Sequence, residues 1–426
     1  MHSPYSEEKM ISVEDALASI LALVKLLPTE SVPLNQSIGR VLAADVVADI
    51  DIAPFSSSCM DGFAICQNQI AQATSDFPIK LNIVGVLAAG SVYDGTLQPG
   101  EALRIMTGAP MPNGADTVVK IEDTLVEGIS ETNAIGTQVC FSFAPKVGAN
   151  VREPGEEAKC GQTMLRKGEL INPAGVGLLA GCGATEVKVY RQPRVAVFST
   201  GSELVEPSQR PGPGQIRNTN SYALAAYAQD AGAIVTQMPL VADTAEAFST
   251  ALLNAVENHD LIILSGGAAE GDFDFTTKTV RDLGELIFNK VCMRPGKAQT
   301  LGVVRGVPIF GLPGNPAAAA IGFEVLLRPA LRKMQGHSNL QRPITRASLS
   351  ADTRKDAKRR SYMRANLSKD ANGNFIVTAA TNQSSALYRT LYESNCLLVI
   401  PEGDELAPAG KIYDCLRIDL TEGSLI

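Results

Sequence analysis

Histidine is nearly absent from this chain, tryptophan is wholly absent, and the cysteines form no recognisable pairs. The 426 residues contain three histidines, His2, His259 and His337. His2 lies in the terminal segment, and the other two sit beside turns, where surface positions are expected. Histidine acid–base catalysis and histidine metal ligation are therefore not expected. Eight cysteines, at 59, 66, 140, 160, 182, 292, 396 and 415, include no CxxC pair and no zinc-site spacing. They read as small apolar residues in a reducing compartment. Long apolar runs are missing too. The best candidate, Ile20 to Leu27, is broken by Lys25 and falls far short of the ~18–20 residues that cross a bilayer. The opening MHSPYSEEKM is polar and acidic, unlike a signal peptide, so a cytoplasmic location with no membrane partner is expected. A net charge of −8 argues against a nucleic-acid partner. The available chemistry rests on carboxylates, lysines, hydroxyls, backbone amides or a metal held by oxygen ligands.

What is present is an ordinary globular composition, 45% hydrophobic and 19% charged, over a length that implies two to four domains. Ser12, with Asp15 three residues on, opens a helical pattern that runs to residue 27. From about 50 to 147, short β-rich runs such as IKLNIVGVLAAG and EALRIMTG alternate with Gly, Pro and Asn clusters. A helix follows over Pro173–Ala180, and GCGATE after it reads as a helix-ending turn. Between 185 and 334, buried-type strands alternate with helices: RVAVFSTG, a helix after Asn218, IVTQMPLV, a helix over Thr244–Asn258, DLIILSGG, then VPIFGLPGNP and a helix over Ala317–Met334. This pattern predicts a doubly wound parallel sheet. Residues 343–422 read as strands alone, hence a C-terminal β-barrel or sandwich. The remaining stretches, 12–49 and 148–184, flank the β-rich insertion and form a linking region.

Ligands of doubly wound sheets bind outside the carboxyl ends of the strands. Here those ends carry Ser199-Thr200-Gly201, Ser265-Gly266-Gly267 and Gly314-Asn315-Pro316. Asn315 and Pro316 suit the start of a helix, whose amides favour an anion. Glu270, Asp272 and Asp274 crowd three carboxylates into five residues, which suggests a cation, magnesium in preference to zinc, with a solvated acidic turn as the alternative. Lys297 follows Pro295-Gly296 and can reach a phosphate or oxyanion. Asp61 precedes Gly62 in a turn flanked by Phe55, Met60 and Phe63. The six basic residues between Arg354 and Arg364 read as a solvated hairpin, with an anion-facing loop as the sharper alternative.

PFSSSCMDGFAI, RIMTGAPMPNGADTVVKIED, VREPGEEAKCGQTML, STGSELV, SGG…GDFDF, MRPGKAQTLG and FGLPGNPAAA follow one another in this chain. In that order they resemble the MoeA-type molybdopterin molybdenumtransferases, related to the E domain of gephyrin, over residues 12 to 420. The resemblance implies an α/β multidomain fold with a MogA-like domain, a β-rich insertion and a C-terminal β-barrel, assembled as an elongated homodimer. It implies a magnesium-dependent reaction of molybdate with adenylylated molybdopterin that yields molybdenum cofactor and AMP. The adenylyltransferase of the same pathway is an admissible partner. By motif, Asp61, Asp272, Asp274 and Lys297 take catalytic roles, and Asp272 and Asp274 hold the metal. Thr107, Gly108, Ser384 and Ser385 join the strand-end residues in binding substrate. A non-catalytic scaffold or molybdopterin-binding paralogue is the alternative that the fold permits.

Overall fold

The computed structural model describes residues 10–125, 135–242, 244–266 and 275–424. Ser12 caps the first helix, Val13–Leu23, by accepting from the Asp15 amide at 3.0 Å and donating to its carboxylate at 2.7 Å. The helix stops four residues short of the periodic pattern. Its apolar face, Val13, Ala16 and Ile20, packs into the same core as Leu331 and Met334, so this helix adds to the α/β unit.

That unit is a six-stranded sheet in the order Ile234–Gln237, Arg194–Ser199, Leu261–Ser265, Val307–Leu312, Thr300–Val304, Glu285–Phe288. The first four strands are parallel, as their unbroken apolar character predicts. The last two pair antiparallel, so the sheet is mixed rather than wholly parallel. The tight turn at Arg305–Gly306 makes this possible, because antiparallel neighbours need no crossover helix. The closing helix is continuous from Pro316 to Met334 but widens to a π-helical turn over Phe323–Leu327, which the periodicity does not reveal.

The linking region draws on 12–49 and 148–184 and also on Glu186–Tyr190, which falls within the expected bounds of the doubly wound domain. Thr29–Pro33 pairs with Glu186–Tyr190, and Val46–Val47 with Thr163–Leu165, around a core of Val32, Leu42, Ile171, Leu179, Val187 and Val189. Between them lies a second six-stranded sheet, packed on Phe63, Ile83, Val119 and Phe141. Its end strands, Thr117–Lys120 and Thr124–Leu125, are joined directly by one 3-10 turn, so the sheet curls on itself.

At the C-terminus, Arg360–Lys369, Phe375–Ala379, Ile344–Leu349, Ile412–Arg417 and Cys396–Ile400 pair in sequence, and the last pairs back with the first. This is the expected barrel, closed by five strands. Arg360–Lys369 corrects the reading of the basic run as a solvated hairpin: Arg360 onward is strand, and Arg364 is fully buried. One further pairing matters. Met293–Arg294, from the α/β unit, runs parallel to Arg360–Ser361 of the barrel. His337 also departs from its expected surface position. It is half-buried beside Arg332, and burial with that guanidinium pushes its pKa down to about 4. All eight cysteines are unbonded, and among the described residues no helix is long and apolar enough to cross a membrane.

Candidate active site

The carboxyl ends of three parallel strands open on one cleft of about 1500 Å³, larger than the ~300–1,000 Å³ of ordinary small-ligand sites. One wall carries Thr200, Gly201, Gly266, Gly314, Asn315 and Pro316; the barrel supplies the other, with Arg354, Arg359, Arg364, Ser384 and Ser385. Arg294 to Ala298 run between the two walls.

The α/β wall is held from beneath. The Thr200 amide donates to the Ser265 carbonyl at 3.1 Å. Gly266 has φ +96°, and a Cβ there would lie 2.3 Å from the Thr200 carbonyl oxygen, so only glycine fits. Asn220 opens the helix Asn220–Asp230, and its side-chain Nδ2 donates to Ser265 Oγ at 2.8 Å and to the Gly314 carbonyl at 2.9 Å. Its Oδ1 accepts from the Tyr388 hydroxyl of the barrel segment at 3.1 Å. Burial, and then the Tyr227 phenol, hold the Tyr388 pKa far above its ordinary value, so that hydroxyl stays a donor. Ser221 Oγ donates to Ser199 Oγ at 2.7 Å. Ser199 and Ser265 are thus buried braces of the loops and do not line the cleft, contrary to their expected contact with substrate.

The helix start departs from the expected anion site. Ala317 already donates its amide to the Ser385 carbonyl at 2.8 Å, tying the barrel's Ser384–Ser385 turn to the helix. Asn315 makes no side-chain capping bond and stands exposed at the cleft.

Charge concentrates on the barrel side. Six cationic side chains line the cleft, Arg294, Lys297, Arg354, Lys355, Arg359 and Arg364, against two carboxylates, Glu203 and Asp356. Asp356 is already paired, with Arg359 at 2.5 Å and Arg294 at 3.5 Å. Burial pushes its carboxyl up, but Arg359 and the Lys358 amide outweigh that and hold it below the usual carboxylate range. Arg364 is the unusual member. Its Nε donates to Thr390 Oγ1 at 3.2 Å, and its Nη2 to the Ser384 and Asn382 carbonyls at 2.9 and 3.2 Å. Its Nη1 is buried without a partner, and burial alone pushes its pKa below the guanidinium norm. A buried cation without a counter-charge is costly, and it gives this wall of the cleft a positive potential.

Asp61, Thr107 and Gly108 lie on the β-rich unit, apart from these cleft-lining residues. They do come together with each other. Gly62 sits opposite Ile105 in the sheet, which brings the two turns side by side, and Asp61 Oδ1 accepts from the Thr107 amide and hydroxyl at 2.7 and 2.8 Å. Those two bonds, with Arg104 nearby, hold its carboxyl below the usual range, so Asp61 presents a fixed, exposed carboxylate. Gly267, Asp272 and Asp274, with Glu270, lie outside the described residues. Sequence reasoning missed Asn220, which looks like a mere cap residue, and did not single out Arg364 within the basic run.

Three family descriptions match in order: the MoeA N-terminal region (domain I and II) over residues 11–183, a probable molybdopterin binding domain over 196–333, and the MoeA C-terminal region (domain IV) over 346–416. A molybdopterin molybdenumtransferase of Staphylococcus aureus (strain COL) is 36% identical over 407 residues, 95% of each chain. The chain belongs to the molybdopterin molybdenumtransferase family. A second relative so named, from Staphylococcus epidermidis, is 35% identical over 415 residues, covering 97% of this chain and 96% of its own. The crystal structure of a molybdopterin biosynthesis MoeA protein from Pyrococcus horikoshii OT3 superposes with TM-score 0.78 at 27% identity, over 96% of this chain and all of that one. Membership makes this chain a transferase, and the expected MogA-like and β-rich architecture is borne out with it.

Proposed function

We propose that this transferase inserts molybdenum from molybdate into adenylylated molybdopterin, releasing AMP and forming molybdenum cofactor, in the cytoplasm. The observation that carries the reading is Arg364, a buried guanidinium without a counter-charge at the wall of a cationic cleft, in a chain of net charge −8. Both substrates are anionic: molybdate is a tetrahedral dianion, and the adenylylated pterin carries phosphates. Lys297 is a point charge at the lining for one of them, while Arg364, buried in the wall, adds a fixed positive charge. Neither a thiol nor a histidine of the protein is required, since the dithiolene comes with the substrate.

Magnesium suits the oxygen donors of Asp272 and Asp274, which follow Gly266 in the sequence; when bound it would neutralise phosphate charge. Among the described residues there is no group of three potential metal ligands. Asp61 and Thr107 stand exposed on the β-rich unit, and Phe55 and Met60 beside them are exposed as well. A second copy of the chain that brings this turn to the cleft explains why a fixed carboxylate is maintained so far from the other site residues.

The test is direct. Purified protein is mixed with adenylylated molybdopterin, molybdate and magnesium, and AMP is followed with time. Release of AMP that depends on molybdate supports the reading. A folded protein that binds the nucleotide substrate without releasing AMP points to the scaffold alternative.

A further inference from the structure

We infer that Gln299 is a positioning residue of the cleft, holding the Arg294–Lys297 turn against the helix Pro316–Met334 so that Lys297 meets the anion. The inference rests on the reading of the cleft as the anion site. Gln299 is not a lining residue. It is 2% exposed and lies directly behind the turn. Its Nε2 donates to the Gly296 carbonyl at 3.0 Å. Its amide nitrogen and that of Val291 both donate to the Lys297 carbonyl, at 3.0 and 2.9 Å. The backbone on each side of Lys297 is therefore fixed by one residue two positions further on.

The other end of the contact is the helix. A Cβ on Gly322 would come within 2.5 Å of the Gln299 carboxamide, so the helix carries glycine where the amide seats. A Cβ on Gly296 would meet the same amide at 2.7 Å and the Ala318 carbonyl at 3.2 Å. Three parts thus interlock: the turn that carries Lys297, the first helical turn beyond Asn315, and the amide between them.

The energetics indicate a role in geometry rather than stability. Gln299 Oε1 is buried with no partner, and an unsatisfied acceptor in the interior is a standing cost. An apolar side chain of similar length would fill the space without that cost. What only the amide provides is the bond to Gly296, and the beneficiary of that bond is Lys297.

The experiment measures binding of AMP and of molybdate by titration calorimetry to the intact protein and to Gln299→Met, Lys297→Ala and the double variant, with melting temperatures for each. Gln299→Met is expected to melt at or above the wild-type temperature and to bind about 3–10-fold more weakly, while adding no further loss in the Lys297→Ala background. Gly322→Ala, which displaces the amide from the other side, should reproduce the loss. Unchanged affinity in Gln299→Met, or an equal loss with and without Lys297, overturns the inference while leaving the cleft reading intact. If the wild-type protein binds neither probe, the cleft reading fails and the inference falls with it.

Discussion

Glu422 lies near the end of the chain, yet it is the centre of the largest buried charge cluster among the described residues. Its side chain is 1% exposed and pairs with Arg328 Nε and with Arg332 Nη1, the latter at 3.2 Å. Around them, Arg342 pairs with Glu324 at 3.1 Å, and Asp230 with Arg328 at 2.7 Å. Three guanidinium groups are thus balanced by three carboxylates, two of them buried and Asp230 exposed. Glu422→Gln keeps the shape and removes one charge, leaving Arg332 without a close carboxylate and Arg328 dependent on Glu324 and Asp230. Removing one partner of a buried pair costs ~3–5 kcal/mol. The remaining carboxylates partly compensate, so the lower end, ~3 kcal/mol, is expected. At roughly 2–4 °C per kcal/mol for a unit of this size, calorimetry at pH 7 should show melting about 6–12 °C below wild type. The pH dependence is a second signature. Burial pushes the Glu422 carboxyl up, but Arg328 and Arg332 outweigh this and hold it below its ordinary 4.5. Its contribution is therefore fully present above pH 4.5 and fades as the pH falls through the lowered folded value, so the two proteins should converge in acid. A variant that melts within ~2 °C of wild type at pH 7 would refute the view that this carboxylate balances the cluster.

Arg364→Gln should weaken AMP and molybdate binding by ~10–100-fold, or about 1.4–2.7 kcal/mol, measured by calorimetry; equal affinity removes the carrying observation of the functional reading. Asn220→Ala leaves Ser265 Oγ, the Gly314 carbonyl and the Tyr388 hydroxyl without their shared partner. It should destabilise by ~1–3 kcal/mol in urea melts and weaken the same binding. His337 keeps its proton less readily in the fold than in the unfolded chain, so stability should fall as pH drops from 6.5 toward about 4, and His337→Gln should flatten that slope. Light scattering should report twice the 45.0 kDa chain mass, and a monomer at micromolar concentration would remove the shared-site arrangement.

Much of this fold was legible because burial writes itself into strands. Val195, Val197, Ile262 and Ile263 have no exposed face, and their runs announce a parallel sheet. Ser12 with Asp15 is a local signal that caps as read, whereas Thr244, read as the first residue of its helix, is the N-cap of Ala245–Val256. What escaped was non-local or disguised. Thr300–Val304 and Glu285–Phe288 escaped because they break the strand–helix alternation, and their direction depends on neighbours that spacing cannot show. Arg364 sits in a strand whose polar and charged residues conceal its period, and its burial is a property of the closed barrel. Asn220 carries no mark that distinguishes a brace from a cap. The meeting of Asp61 with Thr107 depends on the register that sets Gly62 against Ile105, which neither motif contains. The cleft loops were legible from glycine and the strand ends, whereas their support from beneath was not.

The short parallel pairing of Met293–Arg294 with Arg360–Ser361 has a mechanical consequence. Main-chain hydrogen bonds stitch the turn that carries Lys297 to the barrel strand that carries Arg364, and the Ala317 amide holds the Ser385 carbonyl at the other end. The cleft is fastened at both ends, so its walls form one jaw frame with no joint between them. Opening the cleft therefore requires breaking one of these main-chain fastenings.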